Sequence, residues 1–70
     1  MKYNLDVVEA MAKAHRECWR DREGLRQYTL DWDEICGAEF LGSIAYAEAS
    51  LAALIKAHPE VAQYVVEAPP

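Results

Sequence analysis

The stretch Leu30–His58, reading LDWDEICGAEFLGSIAYAEASLAALIKAH, is the longest single element this chain can encode. It opens on Leu30-Asp31-Trp32-Asp33-Glu34-Ile35. There Asp31 is placed to cap free backbone N–H groups, Glu34 to reach back to the cap's own N–H, and Leu30 and Ile35 to close a hydrophobic staple. Three acids in the first turn suit the positive end of a helix dipole. Pro59 ends the run, because it has no N–H to donate and disfavours helical geometry at His58. These signals predict one helix over residues 32–57, about 26 residues and about 39 Å long.

Spacing residues 100° apart divides this predicted helix into three strips. Cys36, Phe40, Leu41, Ile44, Ala47, Leu51, Leu54 and Ile55 make a broad face of mostly large apolar groups. Ala38, Gly42, Ala45, Ala49 and Ala52 make a second, nearly smooth face. Trp32, Glu39, Ser43, Ser50 and Ala57 form the narrow strip expected to meet water. A helix that is apolar on two sides calls for two partners. A chain of 70 residues supplies one of them more readily than both.

That length makes residues 1–70 a single small domain with a marginal core, the size at which oligomerisation, metals or disulfides commonly add stability. A hydrophobic fraction of 53% argues against disorder. The net charge of −5 is unevenly placed. Residues 1–26 hold six basic side chains against five acidic ones, whereas residues 27–70 hold only Lys56 against seven acids. An acidic chain is a poor partner for nucleic-acid phosphates. The opening Met1-Lys2-Tyr3-Asn4 lacks the apolar core of a signal peptide, and two cysteines without a repeated spacing do not make a secreted disulfide framework. A cytoplasmic protein is the expectation. Residues 35–55 are apolar enough to raise a membrane span, but Glu39 and Glu48 lie inside, each costing roughly 2.5–3.5 kcal/mol near a bilayer centre. No membrane association is expected.

Before this stretch, Asn4 caps a predicted amphipathic helix that runs to about Glu23 and stops at Gly24. Its apolar face is expected to carry Val7, Val8, Met11, Ala14, His15, Cys18 and Trp19. Asp6, Glu9, Lys13, Arg16, Glu17, Arg20 and Asp21 fall on the opposite, solvent face. The short connection from Gly24 to Leu30 favours antiparallel neighbours. Pro59 suits a first helical position, so a short third helix is expected over Glu60–Val66, and a lone strand there has nothing to pair with. Ala68-Pro69-Pro70 reads as a frayed tail. The fold expected is all-α: an antiparallel helical hairpin with a short C-terminal helix after Pro59, assembled as a homodimer.

Few residues carry recognisable chemistry. His15, Cys18, Cys36 and His58 are zinc-ligand types. His58 lies 22 residues beyond Cys36, about 33 Å along a helix, so a site in one chain would need Glu17 or Glu39 instead. Buried packing is the better reading of His15 and the cysteines, and no metal or cofactor is expected. His15 near Cys18 lacks an orienting acid, Glu48 at the edge of the large face has no catalytic partner, and three glycines lack phosphate-cradling spacing. No enzymatic activity is expected.

Two surfaces remain. Small residues at alternating three- and four-residue spacing let helix backbones approach closely, so the second helix is expected to self-associate through Ala38, Gly42, Ala45, Ala49 and Ala52 or through Leu41, Ile44, Leu51 and Ile55 beside them. The turn gathers Trp19, Arg22, Arg26, Tyr28 and Trp32, residue types that dominate binding hot spots, and is the expected contact for a larger protein. The function expected is therefore interaction. This would be a small acidic regulator or inhibitor, of a size and composition shared by many phage-encoded modulators of host proteins. The alternative is an acidic nucleic-acid mimic occupying the basic cleft of an enzyme, for which seven acids over residues 27–70 are sparse.

Overall fold

The computed structural model describes residues 2–67, and the tail Ala68–Pro70 lies outside them. The chain is mostly helical: α1 (Leu5–Arg22), a 3-10 turn (Trp32–Glu34), α2 (Gly37–Ala57), a second 3-10 turn (Pro59–Val61) and α3 (Ala62–Val65). Asn4 caps α1 as its side chain accepts from the N–H groups of Asp6 at 2.9 Å and Val7 at 3.4 Å. At the other end the Leu25 N–H bonds the Arg20 carbonyl at 2.8 Å and the Gly24 N–H bonds that of Asp21 at 3.3 Å. Gly24 takes φ +66, the left-handed conformation that such a helix end requires.

The second helix starts five residues later than the sequence predicts, at Gly37 instead of residue 32. The Asp31–Glu34 box does form locally, with Glu34 Oε1 accepting from the Asp31 N–H at 3.2 Å, but it caps only a single 3-10 turn. Ile35 then leaves the helical region, at φ −79 and ψ 152, and buries its side chain to 7% exposure. Gly37 makes the restart possible. Its φ of +61 would be strained in any residue with a Cβ. The break lets Ile35 reach the interior, and burying a side chain of this size stabilises by about 1.5–3 kcal/mol.

Val8, Ala12, Ala47, Leu51 and Val65 form the core, so α1, α2 and α3 all contribute. Val7, Met11, Ile44, Ile55, Val61 and Val66 pack around it. Residues 2–4 and 65–67 meet beside this core. Tyr3 and Val66 form an isolated antiparallel bridge, with the Asn4 N–H to the Val65 carbonyl at 2.7 Å and the Glu67 N–H to the Lys2 carbonyl at 2.9 Å. The valine-rich C-terminal segment thus does find an extended partner, in the residues just before α1.

Two faces differ from expectation. Along α1 the buried residues are Val8, Ala12, Arg16 and Arg20, while Ala14, His15 and Cys18 are exposed. The two arginines assigned to solvent are among the most buried groups of the protein, Arg16 at 5% and Arg20 at 2% exposure. On α2, Ser43 and Ser50 are half-buried instead of facing water, and each hydroxyl donates to the carbonyl four residues back, of Glu39 and Tyr46.

Candidate interaction surface

The buried arginines explain how the segment 25–36 is held. Arg20 donates five bonds from its five N–H groups: Nε to Thr29 Oγ1, one terminal nitrogen to Glu17 and Asp31, and the other to the Arg26 and Thr29 carbonyls, at 2.7–3.2 Å. Arg16 donates twice to the Leu30 carbonyl, at 2.6 and 3.2 Å, and once to Glu39 at 2.9 Å. Thr29 is oriented in turn by its hydroxyl donating to the Leu25 carbonyl. The guanidinium fork suits this task because it presents donors in a fixed plane that carbonyls and carboxylates can saturate. Among the described residues no buried side-chain nitrogen or oxygen lacks a partner.

A third arginine continues the network outward. Arg26 pairs with Asp21 at 2.6 Å and Glu17 at 2.7 Å. The bond from Arg26, followed by that from Arg20, holds the Glu17 carboxyl below its ordinary range against the opposing effect of desolvation. Arg20 likewise lowers Asp31, mainly through its hydrogen bond and then through its charge. Arg20 itself is raised, chiefly by the bond to Asp31, and Arg26 by that to Asp21.

This network decides what the expected partner-binding residues present. Trp19 and Trp32 are half-buried, Trp32 against Phe40 with ring centres 5.3 Å apart and Trp19 beside the Arg16 guanidinium at 6.0 Å. Arg26 is occupied by carboxylates. Arg22 is exposed and pairs with the neighbouring Glu23 at 3.4 Å. Tyr28 stands out at 75% exposure and Leu30 at 50%, although their apolar character predicts packing of this connection against the helices. A shallow depression between Arg20, Asp21, Gly24, Arg26 and Gln27 lies beside them. Its charged lining is already paired internally.

The second surface is the outer side of α2. Ala38, Gly42, Ala45, Ala49 and Ala52 are all exposed, and so is Leu41 at 65%. Ile44 and Ile55 are instead half-buried against the core and Leu51 is 1% exposed within it, so these three turn toward their own chain. Tyr46, at 54% exposure, flanks the outer face and stacks on His15 with ring centres 4.0 Å apart. Glu48 is exposed on the other flank. By length and composition α2 is apolar enough to cross a membrane, and only 11% of the qualifying window is buried.

The remaining candidates do not come together. Cys18 and Cys36 are free and exposed, His15 is taken by the stack on Tyr46, and His58 lies 3.6 Å from Glu60. Among the described residues no three His, Cys, Asp or Glu side chains form a metal-binding group. No family model matches this chain, and neither a curated protein nor a solved structure matches it.

Proposed function

We propose that this chain is a small acidic interaction module: an antiparallel hairpin of α1 and α2 that works as a homodimer and regulates or inhibits a larger protein. The observation that carries this reading is the bare outer face of α2. Leu41 and the row of alanines beside it form a contiguous apolar surface, and such surfaces on small soluble proteins mark contact sites. The loop supplies the second contact, where Tyr28 and Leu30 project from a backbone pinned by Arg16 and Arg20. A pinned loop loses little entropy on docking, which favours recognition by shape. The nucleic-acid mimic has less support, because Asp31 and Glu39 are already paired with the two buried arginines.

Sedimentation equilibrium of the wild type and of Ala49→Arg tests this function. The wild type is expected as a dimer at micromolar concentration and Ala49→Arg as a folded monomer. Gln63→Arg, at an exposed position on α3, is the control and should leave the dimer intact. A stable wild-type monomer would remove the basis for the reading.

A further inference from the structure

The bonds from Arg16 and Arg20 fix the backbone of residues 26–31 and leave a firm apolar surface on its outside. The Leu30 carbonyl accepts twice from Arg16, while the Leu30 side chain is 50% exposed. Trp32, two residues further on, is half-buried against Phe40 and shows the rest of its ring to solvent. Charge around this surface is unbalanced. Residues 16–41 hold seven acidic side chains against four arginines, a net of −3. All four arginines are spent within the chain: Arg16 on Glu39, Arg20 on Glu17 and Asp31, Arg26 on Glu17 and Asp21, and Arg22 on Glu23. Asp33 and Glu34, exposed and directly after Trp32, form no ion pair among the described residues. Glu34 uses one oxygen to accept from the Asp31 N–H at 3.2 Å, which leaves the other open.

Resting on the loop contact proposed above, we propose that this surface takes a basic segment of the larger protein. In that segment an apolar side chain seats against Leu30 and Trp32, and a neighbouring lysine or arginine reaches Asp33 and Glu34. The two parts divide the work. Apolar contact with a tryptophan supplies most of the affinity, while the unanswered carboxylates steer the approach and select the sign of the partner. The pinned backbone adds to both, because little order remains to be gained on docking. An acidic segment would meet like charge across the whole surface. So would a second copy of this chain, since each copy brings the same excess of acids, and self-association therefore lies elsewhere on the molecule.

Titration of the isotope-labelled full chain with three short capped peptides, followed by amide chemical shifts, tests this. The peptides alternate Lys with Leu, Glu with Leu, and Lys with Ser. The Lys–Leu peptide is expected to shift the amides of residues 28–34 and to bind more tightly than either of the others. Asp33→Asn with Glu34→Gln should weaken it about fivefold at low salt, and less as salt screens the charges. Leu30→Ala, which keeps the backbone carbonyl that Arg16 holds, should weaken it at any salt. Glu48→Gln with Glu60→Gln removes the same charge from exposed positions elsewhere and should leave binding nearly unchanged. Equal binding of the Glu–Leu or the Lys–Ser peptide would overturn the proposal, as would an equal loss in the two double variants, which would reduce the effect to net charge. Shifts confined to other residues, or none with the Lys–Leu peptide, would overturn it too. Sedimentation of the same samples keeps the two ideas apart. A monomer that still binds the Lys–Leu peptide would remove the dimer alone, and a dimer that does not bind it would remove this surface alone.

Discussion

The two sides of α2 carry similar chemistry and meet different fates. The inner side sets Ala47 and Leu51 against Val8, Ala12 and Val65, and all five are at most 9% exposed. The outer side, one half-turn away, carries Ala45, Ala49 and Ala52 and is open to solvent. Composition alone does not distinguish them, since both are rich in alanine and neither is polar. What distinguishes them is supply. One stripe of α1 and the short α3 cover about half of the helix circumference, and nothing else among the described residues reaches the remainder. A helix apolar all round belongs in an interior, and the self-association proposed above would complete that interior over the open half.

If that division is right, substitutions should have consequences that depend on the side they fall on. The largest effect is expected from Leu51→Ala, which opens a cavity at the centre of the core and costs about 2–5 kcal/mol in urea unfolding. In a domain this small, that is enough to leave a large share of molecules unfolded. Arg20→Lys comes next. It keeps the charge but loses the planar fork, so most of the five bonds to residues 17–31 cannot be remade. Limited proteolysis should then cut within residues 25–31 well before the core melts, and an uncut loop would show that backbone geometry alone holds it.

Acid attacks the same network. Glu17 and Asp31 titrate lower in the folded chain than their ordinary values of 4.5 and 3.8, so the unfolded chain takes up protons first. Their contribution is complete above those values and is lost as pH falls through the lower, folded ones. Thermal melts should therefore be flat from neutrality down to about pH 5 and decline below it, and Arg20→Lys should flatten that decline. Gly37→Ala is expected to cost about 1–2 kcal/mol, because a Cβ is strained at its positive φ. The smallest effect belongs to the outer side. Ala52→Ser should change the unfolding free energy of the monomer by less than about 0.5 kcal/mol.

Much of this was legible in the residues. The cap at Asn4, the stop at Gly24, the short helix after Pro59 and the two-sided apolarity of α2 all follow from local rules that the fold obeys. The stripe Val8-Ala12-Arg16-Arg20 was not legible. Its four-residue spacing marks one face, but half of that face is charged, and charge alone assigns it to solvent. Only the loop folding back, with carbonyls at Arg26, Thr29 and Leu30 aimed at the guanidinium groups, makes burial favourable, and a tertiary arrangement of carbonyls leaves no periodic signature. The late start of α2 has a similar origin. The Asp31–Glu34 box is a sound local signal, but it is overridden by Gly37 and by Ile35 turning inward. The choice between the two apolar faces of α2 also depended on where α1 settled, which neither face specifies by itself. Tyr28 could be picked out as a hot-spot type, while the exposure of Leu30 emerged only with the path of the loop.

The division between the sides of α2 can be read most directly from the labelling rate of a single thiol, Ala49→Cys, in the Cys18→Ser, Cys36→Ser background. At nanomolar protein the thiol should react about as fast as one on an exposed helix. At tens of micromolar it should be protected as a second copy covers the face, while a thiol placed at Gln63, exposed on α3, reacts at the same rate throughout. A rate at position 49 that stays fast and does not depend on protein concentration would contradict this, leaving the outer side of α2 bare in solution.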